Sequence, residues 1–147
     1  MTPVHVSVEL PLPPQAVWND VEQLATHVEW MADAETIEFQ GEQTSGVGTV
    51  MRVLTKVGPL RTTDIIRVTE WEPPRSIGVR HEGLVTGTGR FLLEPIAQGT
   101  RFSWSEQLDM PWYLGGPVGV LVAKPILAAI WRRNLRRLAD RLSPPRD

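Results

Sequence analysis

Two ionisable side chains, His81 and Glu106, fall on otherwise apolar faces of predicted strands. Each continues an alternating pattern in steps of two, and successive side chains of a strand point to opposite faces. The apolar members of these two faces are Ile77, Val79, Phe102 and Trp104. A charge on a buried face is costly unless it is paired or hydrogen-bonded. Both residues are therefore candidates for anchoring the polar end of a ligand, or for catalysis by proton transfer.

Both residues also have a plain structural explanation. A register error of one residue reverses the faces, so both residues can lie in water near the sheet edge. Alternatively, they can form a structural pair whose hydrogen bonds are satisfied within the protein. Thr62 and Asp64 share the parity of Ile66, but they stand near a predicted turn and are expected to be solvated.

Other recognisable site chemistry is missing from the sequence. The three histidines, His5, His27 and His81, lack metal-ligand spacing, and there is no cysteine, so no metal site is predicted. There is no Gly-rich phosphate loop and no nucleophile elbow. Gly87 and Gly89 are interpreted as a hairpin turn, because no helix follows them as a dinucleotide site requires. We expect no cofactor.

Composition favours one globular domain. The 147 residues are 41% apolar and 22% charged, with a net charge of -2, which gives no overall attraction to nucleic acid or anionic membrane. Neither a signal peptide nor an apolar run long enough for stable membrane insertion is recognisable. The absence of cysteine favours a reducing compartment, so a cytoplasmic location is expected.

Hydrophobic periodicity predicts a sheet followed by one long helix. A strand over 5–10 precedes a helix opening at Pro13 or Pro14 and a second short helix over 26–31. Six further strands are predicted over 36–39, 49–57, 62–71, 76–85, 88–96 and 100–110. Turns of two to five residues join most of them, so neighbours should be antiparallel. The final helix is predicted over 115–142, with Pro117 in its first turn and a bend or break at Pro125.

Five short motifs in this order resemble the START-like (SRPBCC) superfamily. They are PQAVW at 14–18, GVGT at 46–49, VTEWEPPR at 68–75, GRFLLEP at 89–95 and GTRFSW at 99–104. The resemblance covers nearly the whole chain and implies the α+β helix-grip fold. That is a curved seven-stranded antiparallel sheet wrapped around a long C-terminal helix, with two short helices after the first strand. It implies one domain over 1–142, a short tail over 143–147, and a cavity for an apolar or amphipathic ligand.

Strand parity predicts which residues line that cavity. Tight turns would place Val53 near Ile66, Ile66 near His81, His81 near Phe91, and Phe91 near Trp104 or Glu106. The predicted ligand-binding residues of the strands are Met51, Val53, Ile66, Val68, Val79, His81, Phe91, Leu93, Phe102, Trp104 and Glu106. Those at the entrance and on the final helix are Trp112, Tyr113, Val118, Leu121, Val122 and Ile126, although Trp104, Trp112 and Tyr113 are also explained by core packing.

Arginines cluster near the end of the final helix. Arg132, Arg133, Arg136, Arg137 and Arg141 lie within ten positions. Solvated arginines that complement the helix dipole are the simplest explanation. A site for an anionic partner, such as phospholipid headgroups or an acidic protein, is the alternative; nucleic acid is not expected.

Three functions remain open at this point. The favoured one is binding of a lipophilic or aromatic small molecule, such as a lipid or a polyketide, between the sheet and the final helix. The second is a polyketide cyclase or dehydratase type of enzyme, in which His81 and Glu106 move protons without a metal or nucleotide cofactor. The third is a protein or membrane interaction module that uses the arginine-rich end of the helix.

Overall fold

The computed structural model describes residues 3–143. Its strands are β1 (Val4–Leu10), β2 (Ala34–Phe39), β3 (Val50–Val57), β4 (Leu60–Glu72), β5 (Ser76–Glu82), β6 (Thr86–Ile96) and β7 (Gly99–Asp109). Its helices are α1 (Pro14–Val21), α2 (Gly116–Leu142), and two 3₁₀ segments, Leu24–Glu29 and Trp112–Leu114. Of the predicted tail, residues 144–147 lie outside the described part. Within residues 3–143, no helix is long and apolar enough to cross a membrane.

All seven strands form one antiparallel sheet in the order β1-β7-β6-β5-β4-β3-β2. The sheet curls into a half-barrel, and α2 follows the last strand. The predicted fold, a curved seven-stranded antiparallel sheet with a long C-terminal helix and two short helices after the first strand, is confirmed. β1 and β2 are consequently the two edges of the sheet, joined in sequence by α1 and the first 3₁₀ segment.

The long helix bridges these two edges. Its inner face packs mainly against β1. Near its middle, Trp131 Nε1 and Asn134 Nδ2 donate hydrogen bonds to the carboxylate of Asp33, just before β2, over 3.2 and 2.7 Å. Asn134 is fully buried and also accepts the backbone N–H of Ala32. A buried side chain with its partners satisfied is strongly position-specific, so these bonds orient α2 across the open side of the half-barrel.

The helix begins as predicted but does not break where predicted. Gly115 adopts a left-handed conformation with φ of 97°, and Pro117 lies in the first turn. α2 then continues through Pro125 to Leu142 as one helix. A break at Pro125 is therefore wrong, whereas a bend there stays a prediction, since proline removes one backbone donor from the helix.

Strand register differs from the prediction only by even numbers of residues. Ile66 pairs with His81, and Phe91 with Trp104, as predicted. Ile66 pairs with Met51 rather than Val53, and His81 pairs with Gly87 rather than Phe91. The β5–β6 turn occupies residues 83–85, two positions earlier than assumed, so Gly87 and Gly89 belong to β6 and not to a turn. Because side chains alternate with a period of two, these shifts leave the predicted faces unchanged.

Candidate functional site

A cavity of about 380 Å³ lies between the concave face of the sheet and the inner side of α2. Its walls come from β2 to β7, from the first 3₁₀ segment and from the middle of α2. Most lining side chains are apolar, and Trp104 and Trp131 stack at a centroid distance of 4.8 Å where helix and sheet meet. This volume falls in the range of small-molecule sites.

Nine residues that the sequence placed at the ligand site line this cavity. They are Met51, Val53, Ile66, Val79, His81, Phe91, Trp104, Glu106 and Ile126. Val68, Leu93 and Phe102 share the predicted face but lie in the closed core instead. Trp30, which follows the first 3₁₀ segment, packs edge-on against Phe102 at 6.3 Å between ring centroids. The short helices and Trp30 thus close the end of the half-barrel that holds Val68, Leu93 and Phe102. The cavity occupies the opposite end.

The predicted orientation of α2 is corrected by the structure. Val118, Leu121 and Val122 are 62 to 68% exposed and do not line the cavity. The residues of α2 that line it are Ala123, Ile126, Leu127 and Trp131. The first half of the helix is apolar on nearly every side, so its periodicity alone does not identify the inner face.

The two entrance aromatics also lie outside the cavity lining. Trp112 is 86% exposed and Tyr113 is 59% exposed, and their rings contact each other edge to face at 5.7 Å. They belong to the outer surface just before α2. Leu114, the next residue, lines the cavity in their place.

Three ionisable side chains meet on the cavity wall. His81 Nδ1 lies 2.7 Å from Asp64 Oδ2, and His81 Nε2 lies 2.6 Å from Glu106 Oε2. Trp104 Nε1 donates to the second oxygen, Glu106 Oε1, over 3.0 Å. The side chains of His81 and Glu106 are only 12% and 8% exposed. We call Asp64, His81 and Glu106 the charge cluster.

A glycine makes this arrangement possible. Glu106 is on β7 and His81 is on β5, so the glutamate has to cross β6 to reach the histidine. The residue of β6 opposite Glu106 is Gly89. A Cβ at Gly89 would overlap the Glu106 carboxylate. The absence of a side chain at this position therefore lets the carboxylate lie flat over β6.

The charge cluster holds His81 in its protonated form. Burial opposes that charge, but the hydrogen bonds and charges of Asp64 and Glu106 outweigh burial and raise the pKa of His81 from 6.5 to about 10. As an imidazolium, His81 donates through both ring nitrogens, and both carboxylates accept. At neutral pH the cluster is one imidazolium between two carboxylates.

Comparison with known proteins establishes the family. Residues 1–143 match the family model described as "Polyketide cyclase / dehydrase and lipid transport". The chain belongs to this polyketide cyclase/dehydrase and lipid transport family. Among curated relatives, the Mycobacterium tuberculosis protein Rv1546 is 29% identical over 148 residues, covering 95% of this chain and 98% of the relative. A second protein of that organism, named toxin Rv0910, is 25% identical and covers 88% and 91% of the two chains.

Solved structures show the same fold as this family member. The di-domain ARO/CYC protein BexL from the BE-7585A biosynthetic pathway superposes with a TM-score of 0.77 at 16% identity, covering 98% of this chain and 50% of BexL. The protein TTHA0849 from Thermus thermophilus superposes with a TM-score of 0.75 at 16% identity, covering 95% and 96% of the two chains. These likenesses extend the helix-grip assignment and leave the chemistry to the residues of this chain.

Asp64 and His27 are among the polar residues that line the cavity but were not predicted as site residues. Asp64 was expected to be solvated near a turn, yet its side chain is 18% exposed and bonded to His81. Its parity with Ile66, the residue opposite His81, was the available signal. His27 stood out in the sequence only as one of three histidines without metal-ligand spacing; the structure buries it against the rings of Trp30 and Phe91.

Proposed function

We propose that this protein binds a lipophilic small molecule in the cavity and holds its polar group at the charge cluster. The observation that carries the proposal is the pairing of an apolar cavity of about 380 Å³ with a largely buried charge cluster on its wall. Sites of this kind use the apolar wall for affinity and a few placed polar groups for orientation. The family description, which names cyclases, dehydrases and lipid transport, supports this class of ligand.

The cluster favours a ligand that donates hydrogen bonds. Both oxygens of Glu106 and one of Asp64 already accept hydrogen bonds. Asp64 Oδ1 is buried and has no hydrogen-bond partner among residues 3–143. This oxygen faces Gly83, so a ligand hydroxyl or amine would use the second lone pairs of the carboxylate oxygens that already accept one hydrogen bond. A carboxylate ligand would instead meet a cluster with one more negative than positive charge.

Native mass spectrometry of the purified protein tests the proposal directly. We expect a bound small molecule, released on denaturation, whose mass fits a lipophilic compound carrying a hydroxyl or amine. Replacing cavity residue Val79 by Trp should fill the space and abolish the adduct, whereas Val47→Trp, at an exposed turn position, should leave it. An adduct that persists equally in both variants would place the ligand outside the cavity.

A second function, cyclase or dehydratase chemistry, is favoured by one specific observation. A histidine that is protonated at neutral pH beside two carboxylates on a cavity wall is suited to proton transfer. The imidazolium is a poor base at neutral pH, so a carboxylate would take the proton from the substrate, and His81 would stabilise the developing negative charge. His81 would thus not act as the base, which is the role that a neutral histidine would have.

Paired measurements separate binder from enzyme. Glu106→Gln and His81→Ala are compared for affinity towards a lipophilic ligand and for turnover of a poly-ketone substrate. Loss of turnover with affinity retained supports the enzyme. If wild-type protein binds the poly-ketone but returns it unchanged, the enzyme hypothesis is rejected and binding stands.

A further inference from the structure

One continuous face of α2 is exposed to solvent, and only its edge at Ile126 borders the cavity. We call it the outer face of α2. Its members recur at steps of one, three and four residues, the spacing of one side of a helix. In order they are Val118, Leu121, Val122, Pro125, Ile126, Ala129, Arg132, Arg133, Arg136 and Arg137, all exposed.

The first half of the outer face is an exposed apolar surface. Val118, Leu121 and Val122 are each more than 60% exposed, and Trp112 with Tyr113 extends the surface before the helix begins. Contiguous exposed apolar surface rarely occurs on a soluble protein unless something binds it. Apolar side chains at these positions therefore indicate a partner with an apolar interior.

The second half of the outer face is cationic. Arg132, Arg133, Arg136 and Arg137 form no ion pair or hydrogen bond with the described part of the chain. Arg141, by contrast, bonds the carboxylates of Asp20 and Glu29 over 3.1 and 2.9 Å. The chain therefore pairs the arginine beside α1 and the first 3₁₀ segment and leaves the other four available to an external anion.

An anionic bilayer surface matches both halves at once. Its acyl region takes apolar side chains to a depth of several ångströms, and its headgroups attract arginine. From Val118 to Arg137 the face is about 29 Å long at about 1.5 Å per residue, so the helix would lie flat in the interface. The apolar half would insert while the arginine half contacts the lipid phosphates.

A second copy of this chain matches the face poorly. If two antiparallel helices overlapped along the whole outer face, each arginine half would cover the apolar half of the other copy. With parallel helices, arginines would face arginines. Either arrangement buries unpaired charge, which is costly.

We propose that the outer face of α2 docks the protein reversibly on anionic membrane surfaces. Ile126 lies on this face and also lines the cavity. Docking would therefore bring the rim of the cavity to the bilayer surface. The proposal rests on α2 alone and does not require that the cavity bind a ligand.

Vesicle co-sedimentation of the full chain tests this surface. The probes are phosphatidylcholine vesicles and the same vesicles with about 30% phosphatidylglycerol, at about 0.1 M and about 0.5 M salt. We expect binding only to the anionic vesicles, weakened at high salt. Arg133→Glu with Arg137→Glu should weaken binding at least ~30-fold. Leu121→Ser with Val122→Ser, which keeps every charge, should weaken it about 10-fold.

The matched control is Arg52→Glu with Lys56→Glu. Both residues are exposed on β3, form no ion pair within residues 3–143, and give the same change in net charge as the arginine variant. Circular dichroism checks that all variants fold. The proposal is overturned if wild-type protein binds neither vesicle, if the control loses as much binding as the arginine variant, or if the serine variant binds like wild type. If the wild-type protein is a dimer and the serine variant is a monomer, a second copy occupies the outer face of α2. That result would also overturn the proposal.

Discussion

Two largely buried histidines line the same cavity, and one is neutral whereas the other is positively charged. His27 donates Nε2–H to the backbone carbonyl of Val21 over 2.7 Å, and burial lowers its pKa from 6.5 to about 4. His81 is nearly as buried, yet the two carboxylates at its ring nitrogens raise its pKa to about 10. The partner, and not the burial, decides which form is stable. A neutral carbonyl leaves the cost of burying a charge uncompensated, whereas two carboxylates more than compensate it.

This contrast divides the cavity wall into two chemically different regions. The His27 side is neutral and aromatic, with Trp30 and Phe91 against the ring. The His81 side carries the charge cluster. Under the proposed function, a ligand with one apolar end and one hydrogen-bonding end would have a single preferred orientation in this cavity. The following variants change one region and leave the other intact.

The largest change should come from neutralising both carboxylates. In Asp64→Asn with Glu106→Gln, His81 keeps its burial and similar neighbours but loses both negative charges. Its pKa should fall from about 10 to below 6.5, because only the desolvation remains. NMR titration of the imidazole carbons measures this. The pKa of His27 serves as the internal control and should not move; a His81 pKa that stays well above 6.5 would refute the assigned cause.

Removing the imidazolium should strongly destabilise the fold. His81→Gln leaves two buried carboxylates facing each other, and breaking a buried ion pair from one side costs about 3 to 5 kcal/mol. The raised pKa of His81 contributes to the free energy of unfolding. This contribution is complete below pH 6.5 and is lost as the pH rises to about 10. Urea unfolding at several pH values should therefore show the gap between wild type and variant closing at alkaline pH. His5→Gln, at the exposed His5, is the control and should show no gap.

The neutral histidine should give the opposite pH dependence. His27→Gln keeps a donor near Val21 and removes the ring contacts with Trp30 and Phe91, costing about 1 to 2 kcal/mol at neutral pH. The pKa of His27 is about 4 in the folded protein and 6.5 in the unfolded chain. The contribution of neutral His27 to the free energy of unfolding is therefore complete above pH 6.5 and is lost as the pH falls towards 4. In the same urea series, the difference in free energy of unfolding between wild type and His27→Gln should become smaller as the pH falls below 6.5. A gap that widens there would contradict a neutral buried His27.

A smaller effect is expected from a methyl group on β6. Gly89→Ala keeps all charges but displaces the Glu106 carboxylate from above the strand. The pKa of His81 should then fall by about one unit, since Asp64 remains in place. Glu106→Gln, which keeps the shape and removes the charge, provides the comparison. An unchanged His81 pKa in Gly89→Ala would show that Glu106 does not need the space over Gly89.

The sequence predicted the sheet and its faces better than the helix. Alternation in β5 and β7 placed His81 and Glu106 on the concave side, and errors of two and four residues in register did not matter because the period is two. What alternation does not contain is the identity of the partner. Asp64 reaches His81 from β4, and the predicted pairing of Ile66 with His81 put the two on one face without showing that they would bond.

The orientation of α2 was within reach but was missed. Its first half is apolar on opposite sides, so Val118 and Val120 are equally plausible inner residues from pattern alone. The second half is unambiguous, because four arginines mark the outside and Leu135 and Leu138 are buried. Extending backwards from Leu135 in steps of four gives Trp131 and Leu127, both of which line the cavity. The polar half of a helix should therefore set the phase of its apolar half.

One calorimetric titration tests the central claim, that the cavity binds lipophilic donors at the charge cluster. The probes are 2-naphthol and 2-naphthoate, which share a ring system and differ in polar group. We predict that the naphthol binds one-to-one and that the naphthoate binds at least ~10-fold more weakly, because it meets the excess negative charge. In Asp64→Asn with Glu106→Gln that preference should disappear. Equal or tighter binding of the naphthoate by the wild-type protein, or no binding of either probe, would contradict the claim.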